Sequence, residues 1–493
     1  MRGERRRRRL VLAPLLLGAG CAVGPDFARP PPPVQTHYTA APLPAETETA
    51  AGRAQRFVPE AAVPAAWWEL FRSPELNARI AQALAANPTL RAAQATLRAS
   101  RDQLRAGYGV FLPQVDLGGG AVRERPFVPI PGSGRETFDV YSVSASVSYV
   151  LDVFGAERRA VESQGAQTEA RLYETAATYL TLIANVANAT VAEAGYAAQI
   201  AFTGKLIADE REQVDVTRAQ ANAGTVPWAT LSSLEAQLAA SEAQLAPLEQ
   251  QLDHTRHLLA TLLGTEPGAS GAAPVSLEDL DVPQDVPVTL PSVLVRRRPD
   301  ILAAEAQLHS AAAEVGVATA AMFPQITLSG SYGWTSTAAA ALFSGPAAAW
   351  VYGAQVVSPL FHGGELWFKR RAAIATWEAS METYRQTVLA GLAQVADTLA
   401  ALEHDAAQVA AQVRQEAAAR EARRLIAIDY RWGVADYVQL LIADTQWNAA
   451  SIARIGGQAQ RLQDTVALFT ALGGGWWDVQ DSVLGAAGSP PDP

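Results

Sequence analysis

The chain has 493 residues, a formal net charge of −10 and one cysteine, Cys21. Its length exceeds one ordinary core, so several domains or one elongated repeat protein are expected. The acidic balance speaks against nucleic acid as a partner, and a single cysteine excludes an intramolecular disulfide and a cysteine-cluster metal site.

Six arginines and Glu4 crowd the first nine residues, and an apolar run from Leu10 to Gly20 ends at Cys21. This order describes a secretory signal peptide over residues 1–20, too short to span a bilayer as a helix. Its removal leaves a mature charge of about −15. Leu17-Gly18-Ala19-Gly20-Cys21 resembles a bacterial lipobox, with Gly18 where leucine is usual. Cys21 is therefore the expected lipidation site, and Ala22 after it, in place of an aspartate, points to the outer membrane.

From Ala22 to Ala66 the chain is rich in proline and alanine without a helical period, and it reads as an extended tether. Ser73-Pro74-Glu75 is a helix start, with serine as N-cap and proline at the first helical position. That helix stops near Pro88, and a second runs to about Phe111 before Pro113. Val115 to Glu124 and Val140 to Leu151 then read as strands, with Val143, Ala145, Val147, Tyr149 and Leu151 alternating with serines. The connection from Arg125 to Thr137 is a Gly/Pro-rich loop. Gly155 to Asn222 contains no proline, and a returning helix follows the turn Gly224-Thr225-Val226-Pro227.

The second half repeats this order. Phe111-Leu112-Pro113-Gln114 returns as Met322-Phe323-Pro324-Gln325, Gly155 as Gly363, Gly224 as Gly433, and Leu263-Gly264 as Leu472-Gly473, all at an offset of about 209 residues. Strands recur at Ile326 to Trp334 and Trp350 to Ser358, and a second proline-free rod runs from Gly363 to Arg431. Ile374, Met381, Val388, Val395, Leu402 and Val409 mark its seven-residue seam. Each rod is expected to reach about 100 Å at about 1.5 Å per residue. The fold class is α+β: a tandem repeat of long coiled-coil helices and β-hairpins. Four strands of roughly ten residues suit an outer-membrane barrel wall, but one chain cannot close it, so three copies sharing twelve strands are expected.

The sequence resembles the outer membrane factors related to TolC, in their NodT-like multidrug efflux lipoprotein branch. The match rests on Cys21-Ala22-Val23-Gly24-Pro25-Asp26-Phe27, on Trp67-Trp68-Glu69-Leu70-Phe71-Arg72-Ser73-Pro74-Glu75-Leu76, on Arg296-Arg297-Arg298-Pro299-Asp300-Ile301 and on Ala471-Leu472-Gly473-Gly474-Gly475-Trp476. It implies a homotrimer in the outer membrane, with helices in the periplasm, that binds a periplasmic adaptor coupled to an inner-membrane pump. The efflux repeats fall at residues 67–264 and 292–475. An equatorial belt is expected from 21–66, 265–291 and the tail 476–493. The resemblance further implies a periplasmic gate at Tyr430 and Arg431, for which Asp436, Asp444 or Tyr196 are candidate partners; where relatives carry an aspartate, this chain has Ile442. It places adaptor docking at Gly224, Thr225, Gly433 and Val434.

The sequence contains no GxSxG, HExxH or GxxxxGK motif, so no catalytic residue, metal or cofactor is assigned. His254 and His257 lie three apart on a helix and read as a surface pair. The expected function is passive exit of small molecules such as drugs. A duct for peptide secretion or metal efflux, a purely structural envelope lipoprotein and an envelope hydrolase are the competing readings.

Overall fold

The computed structural model describes residues 22–125, 137–268 and 273–478. The signal peptide, Cys21, most of the Arg125–Thr137 loop and the tail beyond Asp478 lie outside the described residues. In chain order the elements are β1 (Arg56–Pro59), α1 (Pro74–Ala86), α2 (Pro88–Gly107), β2 (Gln114–Glu124), β3 (Phe138–Leu151), α3 (Ala156–Asn222), α4 (Trp228–Leu262), β4 (Asp285–Val288), α5 (Pro291–Leu294), α6 (Pro299–Ala320), β5 (Gln325–Ser336), β6 (Ala348–Val357), α7 (Glu365–Arg431) and α8 (Tyr437–Ala471). Both proline-free rods are single helices of 67 residues. The chain divides into two compact units, with boundaries inside α2, α3, α6 and α7.

The first unit comprises residues 22–29, 99–169 and 305–383. Its sheet has the order β2-β3-β5-β6, antiparallel throughout. The two hairpins, one from each repeat, therefore join through β3 and β5. The register sorts the faces. Asp116, Ser146 and Ser331 lie in one row, and Leu117, Ala145, Tyr332 and Trp350 in the next. Period-two alternation thus becomes one small polar face and one apolar face. On the apolar side Leu117, Tyr332, Trp350 and Tyr352 are exposed within the single chain. Gly333 is required: a Cβ there would lie 2.3 Å from the Val143 carbonyl oxygen. β2 and β6 each end the sheet with an unpaired edge.

In the same unit the segment after Cys21 is not a free tether. The Val23 amide donates to the Phe154 carbonyl at 3.1 Å, Arg159 pairs with Asp26 and Glu162, and Phe27 stacks on His309 with ring centroids 4.4 Å apart. Each of these partners of residues 23–27 lies more than a hundred residues away, so no local period could announce the docking.

The second unit comprises residues 30–98, 170–304 and 384–478. Trp67 is fully buried and stacks on Phe469 at 5.3 Å. Phe71, Leu76 and Ile80 join it in a core with Ile183, Val186, Leu399 and Leu402. The seam residues Val395, Leu402 and Val409 are buried here, whereas Ile374, Met381 and Val388 are half-buried. Ser73 caps α1 through the Leu76 amide, as its spacing predicts. Residues 30–66 depart from the extended reading: β1 pairs with β4 in parallel, Phe57 opposite Val286, which ties two of the three expected belt segments together.

The Arg298 stretch and the Gly-Trp ending pack against each other. Arg298 donates to both Asp300 oxygens at 3.0 and 2.7 Å, to the Ala471 carbonyl at 2.9 Å and to Gln394 at 2.9 Å. Trp476 Nε1 donates to the Arg297 carbonyl at 2.8 Å, and the Arg297 guanidinium lies 4.6 Å from the Trp477 ring centroid. Between them Gly473, Gly474 and Gly475 all have positive φ; at Gly475 a Cβ would come 2.5 Å from the Pro64 carbonyl oxygen.

Candidate gate and docking turns

Each long helix ends in the same turn. After α3 the Gly224 amide donates to Ala221 and the Thr225 amide to Gln220, both at 3.0 Å; after α7 the Gly433 amide donates to Tyr430 at 3.0 Å and Val434 to Asp429 at 2.8 Å. These are two Schellman motifs, and they need the left-handed φ of +73° at Gly224 and +71° at Gly433. The chain restarts differently after them. Pro227 precedes α4 without a side-chain cap, whereas Asp436 caps α8 by accepting from the Gln439 amide at 2.9 Å. Around the turns Trp228, Trp432, Val434 and Val438 are exposed.

Arg431 is exposed and has no hydrogen-bond or ion-pair partner among the described residues of its own chain. Tyr430 is half-buried and meets Tyr437 edge-on, with ring centroids 6.2 Å apart. Of the candidate partners for Arg431, Asp436 serves as the α8 cap and Asp444 pairs with Arg423. Tyr196 is half-buried on α3.

Apart from Asp444, the charges behind the turns were not singled out in the sequence. The Arg423 guanidinium pairs with Asp444 and lies 4.6 Å from the centroid of Trp447, whose indole meets Phe202 edge-on. Buried Glu210 on α3 accepts from Ser241 on α4 at 3.1 Å, and Glu416 on α7 accepts from Ser451 on α8 at 3.2 Å. Each helical hairpin therefore buries one glutamate against a serine. Burial pushes the carboxyls of Glu210 and Asp444 up from their ordinary values; Ser241 and Gln237 oppose this at Glu210, and Arg423 opposes it at Asp444. Burial likewise raises the Tyr437 hydroxyl. The available signal was a run of charges in α7 from Arg414 to Arg424, which on a lone helix reads as a solvated face.

His254 and His257 are both exposed on α4. Among the described residues no cluster of three His, Cys, Asp or Glu could hold a metal ion.

A duplicated helical hairpin, each copy carrying a strand hairpin with an apolar face, defines the class of outer membrane channel proteins. The chain belongs to the outer membrane efflux protein family, whose sequence profile matches residues 79–265 and 290–474. It is 30% identical over 475 residues to the toluene efflux pump outer membrane protein TtgC of Pseudomonas putida, covering 95% of both chains. It is 32% identical over 420 residues to the pyoverdine export outer membrane protein OpmQ of Pseudomonas aeruginosa, covering 83% of this chain and 87% of that one. The solved outer-membrane channel OprN superimposes with a TM-score of 0.83 at 29% identity, over 92% of this chain and 100% of that one. The chain is thus an outer membrane component of an efflux pump.

Proposed function

We infer that the chain is the passive exit duct of a tripartite efflux system. It assembles as a homotrimer, docks a periplasmic adaptor linked to an inner-membrane pump, and carries small molecules such as drugs. The observation that carries this reading is the four-stranded sheet with an apolar face and two unpaired edges. Lipid tolerates no unpaired edge, and closed single-chain barrels begin at about eight strands, so β6 of one copy pairs with β2 of the next. Three copies then close about twelve strands, within the usual range. No step of this transport requires catalysis by the chain. The relatives named for toluene and pyoverdine are nearly equally similar to it, so the similarity singles out no cargo.

In the assembled duct the two efflux repeats, 67–264 and 292–475, are joined by an equatorial belt drawn from the segments outside them, 21–66, 265–291 and 476–493. Acylation of Cys21, with palmitate among its chains, anchors the protein in the outer membrane, and Ala22–Arg29 leads from that anchor. The gate consists of Tyr430 and Arg431 reaching to Asp436 or Tyr196 of neighbouring copies. The Arg423 pair with Asp444 braces the same hairpin from inside. Gly224, Thr225, Gly433 and Val434, with Trp228 and Trp432 beside them, receive the adaptor.

Cysteines placed along β2 and β6 test the assembly. Oxidation is expected to give covalent trimers, and planar bilayers are expected to show channels that open further with the adaptor. No intermolecular product in any register, together with no conductance, would remove the duct reading.

A further inference from the structure

Residues 46–56 form a small β-hairpin that leads into β1. The Thr47 amide donates to the Gln55 carbonyl at 2.8 Å, and Ala50 and Arg53 exchange backbone bonds at 3.0 and 3.1 Å. The hairpin is fastened to α8 through one side chain. Arg461 is only 2% exposed, donates to Gln55 Oε1 at 3.0 Å, and reaches the Ala50 and Arg53 carbonyls at 3.4 Å. Gln55, fully buried, completes the clasp by donating to Thr465 at 3.2 Å.

Between these helices Asp405 of α7 faces Asp464 of α8. Asp405 Oδ2 is buried and no donor among the described residues reaches it. Its neighbour is a second carboxyl, which can satisfy it only if one of the two carries a proton. Asp464 Oδ2 accepts from Gln460 at 2.8 Å. The helices are in close contact at this level: a Cβ on Gly457 would lie 3.3 Å from Val409 Cγ2.

We propose that Asp405 holds a proton beside Asp464, and that losing it draws Arg461 off the hairpin 46–56, loosening the belt's hold on α7 and α8. With Asp405 protonated, Arg461 keeps its bonds to the hairpin. Without the proton, two carboxylates face one guanidinium, and Arg461 gains by turning toward them and away from neutral carbonyls. A cavity of about 490 Å³ lined by Ala50, Arg53, Arg454, Gln458 and Arg461 gives the hairpin room to move.

The remaining charges around the pair are paired elsewhere or point to solvent. On the hairpin Arg53 is paired with Asp281, and Glu48 with Arg414. On α7 Glu403 and His404 point to solvent. α3 meets α8 here through the Asn188 carbonyl, which accepts from Gln463 and brings no charge. Burial first, then Asp464, push the Asp405 carboxyl up to about 7, while Arg461 opposes them; burial pulls Arg461 down and Asp405 opposes that. Neutral pH is therefore where the clasp responds.

The test is hydrogen exchange of residues 46–56 in the assembled full-length protein, from about pH 6 to about pH 8.5, corrected for intrinsic exchange. The wild type is expected to open about tenfold more for each pH unit above neutrality until opening saturates. Asp405→Asn and Asp464→Asn, each mimicking the protonated partner, are expected to hold protection flat across this range. Glu48→Gln, outside the pair, is expected to keep the wild-type response. If the wild type shows no pH dependence, or if the Asn variants retain it, the Asp405 proton is not the switch. Should Asp405→Asn fail to assemble, Asp464→Asn decides the question from the other helix.

Discussion

Arg423 and Asp444 close on each other across α7 and α8, with the guanidinium lying over Trp447. Truncating one partner strands the other in a site that is mostly shielded from water, at a cost of about 3–5 kcal/mol for a fully buried pair and less here because Arg423 is about a third exposed. Arg423→Ala is therefore expected to lower the thermal stability of the trimer and raise its resting conductance. The paired replacement Arg423→Met with Asp444→Leu is expected to recover most of the stability. Melting curves and single-channel recordings check both; recovery of stability without recovery of closure would assign the ion pair to gating.

Arg431 has no partner for its guanidinium among the described residues of its own chain, so its effect is expected to depend on neighbouring copies. Arg431→Ala is expected to leave the thermal stability unchanged while raising conductance and vancomycin entry. Unchanged conductance and entry would take Arg431 out of the gate.

Gly224 and Gly433 face open space, so substitution there acts through the backbone alone. Alanine at a left-handed position costs about 1–2 kcal/mol, whereas asparagine adopts it more readily. Gly433→Trp is expected to abolish crosslinking to the adaptor in assembled trimers, Gly433→Asn to preserve most of it. Equal crosslinking by both variants would rule out docking at this turn.

Glu210 has a carboxyl raised by burial above its ordinary value of 4.5. A raised folded value means that its contribution is fully present below the unfolded pKa and is lost as pH rises through the folded one. Glu210→Gln is neutral throughout, so its melting temperature is expected to gain on the wild type as the pH increases above about 4.5. Parallel curves for the two proteins from pH 4 to 8 would show that Glu210 does not titrate in this window.

Gly333→Ala drives a Cβ into the Val143 carbonyl, whereas Gly118 lies in open space. The first change is expected to deplete heat-resistant trimers in the membrane fraction and Gly118→Ala to leave them intact. Gel mobility before and after heating reads the difference.

Much of the fold was legible because the signals are local and occur twice. Absence of proline over two long stretches, glycine after each, serine alternating with apolar residues and a shared offset near 209 specify rods, turns and strands without tertiary information. Ser73, Gly224 and Gly433 do in three dimensions what their spacing predicts. Candidate gate partners were harder to read, since an aspartate near a helix end reads alike whether it caps the helix, as Asp436 does, or pairs with an arginine, as Asp444 does.

What the chain determined by itself was the list of elements and their duplication, since periodicity and capping act over a few residues. Only the tertiary structure decided the neighbours. β3 lies beside β5, hairpin 46–56 is clasped by Arg461, and Arg298 meets Ala471 because these contacts join residues more than a hundred positions apart. Their hydrogen bonds leave no period in the sequence, and burial, which raises the carboxyls of Asp405, Glu210 and Asp444, exists only once the helices have packed.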